Sequence, residues 1–148
     1  MFTNYIGDLL HSKASYIVHQ VNCQGAMNSG VAKCIREKFP VVFAEYNLYC
    51  KSSEPSQLLG NCLIVPVWNG QAVANLFGQN NFGYDGKQYT NYEALESALN
   101  ILRIQLKPGE SIAFPYKMAC DRGGADWKVV FDMITAIFKD FDVEIWRL

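Results

Sequence analysis

The chain reads Val21-Asn22-Cys23-Gln24-Gly25-Ala26-Met27-Asn28-Ser29-Gly30-Val31-Ala32 at the junction of two hydrophobic segments. The apolar run over residues 16–21 precedes this stretch and is typical of a buried strand. Val31, Ile35 and Phe39 follow it at the spacing of one helix face. The stretch is therefore predicted to be a loop that leads from a strand into the N-terminus of a helix.

A loop of this kind favours an anionic ligand. The first N–H groups of a helix have no partner within the helix, and the helix dipole adds positive potential at the same end. Gly25 and Gly30 allow the backbone to approach a ligand where a Cβ would clash. We therefore predict a phosphate-bearing ligand that is bound largely by main-chain groups.

Length and composition indicate one globular domain over residues 1–148. Half of the residues are hydrophobic and only 18% are charged, which favours a sizeable core over disorder. The net charge of −1 provides no basic footprint for general nucleic-acid binding. The N-terminus does not resemble a signal peptide and no apolar run is long enough for a membrane helix, so we expect a cytoplasmic monomer without a membrane partner.

The five cysteines form no Cys-x-x-Cys pair, which favours reduced thiols over a disulfide framework or a zinc site. Cys23 and Cys120 fall in candidate ligand loops, where a small buried hydrophobe is favoured over a nucleophile. His19 lies inside an apolar strand and is interpreted as a core histidine rather than a base. We expect no metal and no cofactor.

The remaining pattern alternates strands with helices. Strands are predicted at residues 2–6, 16–22, 61–67, 71–77, 111–114 and 142–148, and helices at 30–39, 41–51, from a cap at Thr90 or Asn91 to about Leu106, and at 127–139. A polar loop is predicted at 52–60, a hairpin turn at Asn69-Gly70 and a helix cap at Asp126. This order predicts an α/β fold, a three-layer α/β/α sandwich with a mixed central sheet. The loops 22–30 and 115–126 both leave strand ends and enter helices, so we expect them to face one crevice.

Several short motifs, in this order, together resemble the macrodomain family, which binds ADP-ribose. They are Gly7-Asp8, Val21-Asn22 with Gly25 and Ser29-Gly30-Val31-Ala32, Asn75-Leu76-Phe77-Gly78-Gln79, Thr90-Asn91-Tyr92-Glu93-Ala94-Leu95, and Pro115…Cys120…Gly123-Gly124…Asp126-Trp127. The resemblance covers essentially the whole chain. It is nearest to the compact group that includes terminal ADP-ribose glycohydrolases, the macrodomain antitoxin acting on DNA, and the yeast ADP-ribose-1″-phosphate phosphatase.

The resemblance implies binding roles for particular residues. Asp8 would accept a hydrogen bond from the adenine amino group, although a turn aspartate after Gly7 is the alternative. Asn22 would bind the distal ribose, with a plain strand-end asparagine as the alternative. The full set of implied ligand-binding residues is Ile6, Gly7, Asp8, Leu9, Asn22, Gln24, Gly25, Ser29, Gly30, Val31, Phe77, Ala119, Cys120, Asp121, Arg122, Gly123 and Gly124.

The resemblance also implies a departure in the catalytic groups. The glycohydrolases of this group use a lysine and an aspartate, and those positions fall here on Gln79 and Gly123. The candidate catalytic residues are Asn22, Gln79 and Asp121: Asn22 with Gln79 or Asp121 would place a water at the distal ribose. Asp121 could equally point to solvent or pair with Arg122 or Lys117. Lys117 is a candidate phosphate contact.

The predicted function is binding and hydrolysis of an ADP-ribose derivative, such as ADP-ribose-1″-phosphate, O-acetyl-ADP-ribose, or ADP-ribosylated protein or DNA. Nucleic acid would be a partner only as a carrier of ADP-ribose. The alternative is a reader module that binds ADP-ribose without turnover. A nucleotide-binding domain outside this family is disfavoured because neither Gly-x-Gly-x-x-Gly nor a P-loop motif is present.

Overall fold

A computed structural model describes residues 1–148, which form six strands and five helices. The strands are β1 (Phe2–Ile6), β2 (Tyr16–Val21), β3 (Cys62–Pro66), β4 (Ala72–Phe77), β5 (Ser111–Pro115) and β6 (Asp142–Arg147). The helices are α1 (Gly30–Lys38), α2 (Pro40–Lys51), α3 (Pro55–Leu58), α4 (Tyr92–Gln105) and α5 (Trp127–Ile137). A single 3₁₀ turn covers Leu9–His11.

All six strands form one sheet in the order β1-β6-β5-β2-β4-β3. Only β3 runs antiparallel to its neighbour, as the Asn69-Gly70 turn to β4 requires, and the other pairs are parallel. The sheet is therefore mixed, and helices lie on both of its faces. The predicted three-layer α/β/α architecture is confirmed.

Two separate cores result because successive side chains of a strand point to opposite faces. In β2, Ile17 and Val21 belong to a core of 17 residues shared with α1, α2 and α3. Val18 belongs to a second core of 16 residues shared with α4 and α5. Burial on both faces explains why the central strands are nearly continuous in apolar residues.

The helix ends follow local capping chemistry. The side chain of Asn91 accepts from the Ala94 N–H at the start of α4, and that of Asp126 accepts from the Lys128 N–H at the start of α5. Pro40 occupies the first turn of α2, where its missing N–H costs nothing. The predicted elements all form, with ends that differ by one or two residues.

The prediction of an unstructured loop over residues 52–60 is wrong, because it contains α3. Glu54 and Gln57 form a reciprocal capping box around Pro55 at the first helical position, and Leu58 is fully buried in the first core. A helix of four residues shows no hydrophobic periodicity, so its polar composition was the only available signal. No helix of the structure combines the length and apolarity that crossing a bilayer requires.

Candidate ligand-binding cleft

The sheet opens between β2 and β5. Their ladder contains only the pairs Tyr16–Ile112 and Ile17–Ala113, whereas β2 stays paired with β4 up to Val21. On the other side, β5 stays paired with β6 up to Pro115. After β2 the chain continues to β3, which lies beyond β4 in the sheet, and after β5 it continues to β6 on the opposite side. The connections therefore diverge at the opening between β2 and β5. Open α/β sheets bind ligands at such points.

A cavity of about 1250 Å³ occupies this opening. Parts of both predicted loops line it, together with the turn after β1, the segment after β4 and the end of β6. The lining residues fall in the ranges 7–10, 19–22, 26 with 28–34, 79 with 82–84, 115–123, 125–127 and 146–148. The expectation that loops 22–30 and 115–126 face one crevice agrees with this arrangement.

Asn22 organises the first loop. Its Oδ1 accepts from the Gln24 N–H at 2.9 Å and from the Ala26 N–H at 3.4 Å, while its Nδ2 donates to the Ala26 carbonyl at 3.0 Å. The buried Tyr46 hydroxyl of α2 lies 2.7 Å from the Asn22 carbonyl oxygen and 2.9 Å from Oδ1. The Asn22 side chain therefore holds the loop in shape as well as facing the cavity.

The N-terminus of α1 closes the same loop with free main-chain donors. Ser29 occupies the cap position, but its side chain caps no N–H group of the helix. Gly30 has a φ of 61°, and a Cβ built there would meet nothing within 4 Å. Ser29, Gly30 and Val31 all line the cavity, so the first turn of α1 offers its N–H groups to an anion.

The second loop is packed through its backbone. Lys117 and Ala119 take left-handed conformations, with φ of 60° and 70°. A Cβ on Gly123 would overlap the Ala119 carbonyl oxygen and the Thr90 hydroxyl. Gly123 therefore cannot carry a side chain without displacing its neighbours, and the aspartate that the resemblance places at this position has no room.

A chain of amides and hydroxyls connects β2 and the segment after β4 with the second loop. The Gln20 Nε2 donates to the Gln79 Oε1 at 2.7 Å and to the Thr90 Oγ1 at 2.8 Å, and Thr90 donates to the Ala119 carbonyl at 2.9 Å. Gln79 also donates from Nε2 to the Asn81 carbonyl at 2.8 Å. Gln79 is thus a buried, oriented amide at the cavity wall, with one hydrogen of Nε2 uncommitted.

Three aspartates line the cavity, and only one of their carboxylates has no hydrogen-bond or ion-pair partner in the protein. Asp8 accepts from the Leu10 N–H at 2.9 Å, and Asp126 caps α5. Asp121 is exposed and has no hydrogen bond or ion pair. The Arg122 guanidinium next to it lies 3.9 Å from the centre of the Tyr84 ring rather than against a carboxylate.

His19 and the loop cysteines are held in neutral forms. Burial lowers the pKa of His19 to about 4, and its bond of 2.6 Å to Asn75 only partly opposes this shift. Burial, with a smaller contribution from Asp126, raises the pKa of Cys120 to about 11. Burial, followed by the nearby Cys50, raises the pKa of Cys23 to about 11. Both thiols remain protonated near neutral pH, which favours packing over nucleophilic chemistry.

Most of the predicted site residues line this cavity. They are Gly7, Asp8, Leu9, Asn22, Ser29, Gly30, Val31, Gln79, Ala119, Cys120, Asp121, Arg122 and Gly123. Lys117 and His19 line it too. No group of three His, Cys, Asp or Glu side chains could hold a metal ion.

Five predicted ligand-binding residues lie outside the lining of this cavity. Ile6 ends the edge strand with 83% of its surface exposed, and Phe77 is fully buried between Tyr46 and Tyr49. Gln24 donates to Asn80.

The two remaining residues are glycines that pack against other segments. Gly25 accepts from Asn47 through its carbonyl, and a Cβ on it would lie 3.0 Å from the Asn47 side chain. A Cβ on Gly124 would lie 2.7 Å from the Lys87 carbonyl oxygen. Each of these glycines permits a close approach within the protein, so glycine alone did not distinguish a ligand contact from an internal one.

Sequence reasoning missed Gln20, Tyr46 and Trp146, and it named Thr90 only as a possible helix cap within a family motif. Trp146 lines the cavity next to Gly7, and its ring stacks on Tyr5 with centroids 4.7 Å apart. Gln20 carried a signal, since a polar residue between buried strand positions needs partners. The sequence contains no signal for the role of Tyr46, because only the folded chain brings α2 against the first loop.

The chain matches the model of the Macro domain family over residues 18–134. This match covers more than half of the chain, so the chain belongs to the Macro domain family. The resemblance drawn from the sequence motifs is confirmed at the level of the family.

Curated relatives carry two kinds of name. The chain is 27% identical to a DNA ADP-ribosyl glycohydrolase of Mycobacterium tuberculosis, over 99% of this chain and 42% of that protein. It is 37% identical to an ADP-ribose 1″-phosphate phosphatase of Neosartorya fischeri, over 34% of this chain and 26% of that protein. The chain thus spans between about a quarter and two fifths of the length of these relatives.

Solved structures share the fold over the whole chain. The macrodomain of Mycobacterium tuberculosis DarG has a TM-score of 0.85 at 23% identity, covering 100% of this chain and 98% of that one. A Bacteroides thetaiotaomicron protein of unknown function has a TM-score of 0.89 at 24% identity, with the same coverage. At this level of identity the likeness concerns the fold alone.

Proposed function

We propose that the cleft between β2 and β5 binds ADP-ribose and that the chain hydrolyses a derivative joined at the 1″ position of the distal ribose. The observation that carries this proposal is the meeting of two loops at one opening of the sheet, with Asn22, Gln79 and the unpartnered Asp121 in its lining. The names of the curated relatives support the same substrate class.

The proposal that the cleft binds ADP-ribose is supported by the positions of hydrogen-bond donors and acceptors along its lining. The uncapped first turn of α1 suits the diphosphate, because its N–H groups and dipole favour anions. At the other end of the cavity, Asp8 uses Oδ1 toward Leu10 and keeps Oδ2 for a donor such as the adenine amino group. Leu9 and Trp146 provide the apolar surface beside it.

The proposal that the chain hydrolyses its ligand is supported by the side chains of Asp121 and Gln79. Hydrolysis adds the hydroxyl of a water to one side of the broken bond and its proton to the leaving group. Asp121 is the carboxylate that is free to accept a proton from that water, and the uncommitted hydrogen of Gln79 Nε2 orients the water's oxygen. The backbone loops hold the substrate in reactive geometry.

The reader function is a second candidate that one observation favours. No lysine stands at position 79, and the amide there is already bonded to Gln20 and Asn81. An amide cannot form the covalent adduct that a lysine amine forms with a sugar aldehyde. A chain that binds ADP-ribose without turnover would satisfy the same cleft geometry.

Turnover on matched substrates separates the two candidates. Purified protein is incubated with ADP-ribose-1″-phosphate, with ADP-ribosylated DNA and with ADP-ribosylated protein, and released ADP-ribose is followed by chromatography. Gly30→Glu protein, prepared identically, controls for contaminating hydrolases. Release from any one substrate by the wild type alone supports hydrolysis and identifies the linkage, and release from none, with binding intact, supports the reader.

A further inference from the structure

Tyr46 is a buried side chain whose hydroxyl reaches the ligand loop. It is fully buried on α2, and its ring stacks on Phe77 with centroids 5.8 Å apart. Its hydroxyl lies 2.7 Å from the Asn22 carbonyl oxygen and 2.9 Å from Asn22 Oδ1. Burial, reinforced by Cys50, holds the pKa of Tyr46 far above its usual range. The hydroxyl therefore keeps its single hydrogen, which it shares between the two oxygens of Asn22.

The hydrogen-bonding capacity of the Asn22 amide is almost used up. Its Oδ1 has two lone pairs and already accepts from the N–H groups of Gln24 and Ala26; the Tyr46 hydroxyl is a third contact, and its single hydrogen is shared between Oδ1 and the Asn22 main-chain carbonyl. Its Nδ2 has two hydrogens, one of which goes to the Ala26 carbonyl. One N–H of Nδ2 is left for the cavity, so Asn22 can donate to a ligand but cannot accept from one.

Tyr46 is the side chain that enforces this orientation. The weaker of the two backbone donors to Oδ1, the Ala26 N–H, is 3.4 Å away, so the Tyr46 hydroxyl is one of only two short contacts to that oxygen. Without the hydroxyl, the Asn22 main-chain carbonyl also loses a donor. The amide and the peptide that carries it would then be free to move together.

We infer that Tyr46 is a positioning residue that fixes Asn22 as a hydrogen-bond donor to the distal ribose, and that it thereby sets a preference for ADP-ribose over ADP. This inference rests on the proposed function, because it assigns Asn22 to the distal ribose. Tyr46 itself does not line the cavity. Its effect on binding therefore passes through Asn22.

The helix supplies a matched control one turn away. Tyr49 also packs on Phe77 at 5.8 Å, but its hydroxyl accepts from Asn61 and does not reach the loop. Tyr46→Phe and Tyr49→Phe each remove one hydroxyl from the same aromatic cluster. Calorimetric titration of both variants and of the wild type with ADP-ribose and with ADP isolates the contribution of the hydroxyl to recognition of the distal ribose.

For Tyr46→Phe we expect about three- to tenfold weaker binding of ADP-ribose, the effect of one hydrogen bond, and a change of less than about twofold for ADP. Tyr49→Phe keeps both affinities within about twofold of wild type. Unchanged ADP binding also shows that Tyr46→Phe is folded. In an Asn22→Ala background, Tyr46→Phe produces no further loss of ADP-ribose affinity.

Two results overturn the inference while leaving the proposed function in place. One is wild-type affinity of Tyr46→Phe for ADP-ribose, and the other is an equal loss for ADP and ADP-ribose, which would make Tyr46 a general support of the loop. A wild-type protein that binds ADP and ADP-ribose equally well would instead contradict the proposed function, and the inference with it.

Discussion

The two loops that meet at the cleft are built in opposite ways. The first, residues 22–30, is held by side chains, with the amides of Asn22 and Asn47 and the Tyr46 hydroxyl bonded to its backbone. The second, residues 115–126, is held mainly through its backbone carbonyls, which accept from the Thr90 hydroxyl, from the N–H groups of Tyr89 and Thr90, and from N–H groups within the loop. The Cys120 N–H donates to the Lys117 carbonyl and the Ala125 N–H donates to the Ala119 carbonyl.

This difference assigns separate tasks to the two loops. In the first loop, Cys23 and Met27 are buried beneath the chain, so its N–H groups are fixed in advance for an anion. In the second loop, Asp121 and Arg122 are exposed and unpaired with any carboxylate or cation, although they face the same cavity. We infer that the first loop provides affinity through preorganised backbone and that the second provides the group that reacts.

The largest expected effect comes from Gly30→Glu in the first loop. A built Cβ meets nothing within 4 Å, so the protein remains folded, but a carboxylate beside the free N–H groups of α1 repels the diphosphate. We expect ADP-ribose affinity to fall at least about 100-fold, with an unchanged circular dichroism spectrum. If Gly30→Glu retains wild-type affinity for ADP-ribose in a calorimetric titration, the first loop does not bind the diphosphate.

In the second loop, Asp121→Ala tests the reacting group. We expect turnover to fall by about 100-fold or more, as for loss of a general base, while ADP-ribose binding is kept or tightened because a negative charge is removed. The control is Asp140→Ala, which removes an exposed aspartate that has no partner and lies outside the cavity. Equal turnover in the two variants would show that the second loop carries no base.

Alanine substitution of one glycine in each loop compares how tightly the two loops are packed. A Cβ on Gly123 overlaps backbone and the Thr90 hydroxyl, so Gly123→Ala is expected to destabilise the protein by about 2–3 kcal/mol in urea unfolding. Gly30→Ala is expected to lose only about 1 kcal/mol, the cost of its left-handed φ. Equal losses would mean that the second loop relaxes around a methyl group.

The loss of stability at low pH tests the burial of His19 in β2, the strand that precedes the first loop. The folded pKa of His19 is about 4, below the ordinary value of 6.5, so the unfolded chain binds the proton first and stability falls as the pH drops from 6.5 toward 4. At pH 5 we expect about 2 kcal/mol of this loss in urea unfolding. His19→Asn removes that component, and His11→Asn, at an exposed position, keeps it. An identical pH dependence in all three proteins would contradict the burial of His19.

The fold was predictable because it is determined by local signals. Pro40, Asn91, Asp126 and the Asn69-Gly70 turn each determine the end of an element through chemistry within a few residues. The opening of the sheet followed from two loops that each leave a strand end. Only α3 was missed, since four residues are too few for a periodic pattern.

The site was less predictable because its polar groups are oriented by distant partners. Asn22 stands in a recognisable motif, but one of the groups that surround its Oδ1 is the hydroxyl of Tyr46, 24 residues away. Gly25 and Gly124 have the residue type of a ligand contact and yet pack against Asn47 and against the chain at Lys87. Which glycine faces a ligand is a property of tertiary packing, and no local pattern contains it.

The most direct test of a preorganised ADP-ribose cleft is a calorimetric titration of the wild-type protein with ADP-ribose, ADP and AMP. We predict micromolar binding of ADP-ribose that is clearly tighter than binding of ADP, because the distal ribose adds the Asn22 contact to those of the diphosphate. Equal affinity for ADP and ADP-ribose, or no binding of either, would contradict the assignment of the first loop and with it the proposed function.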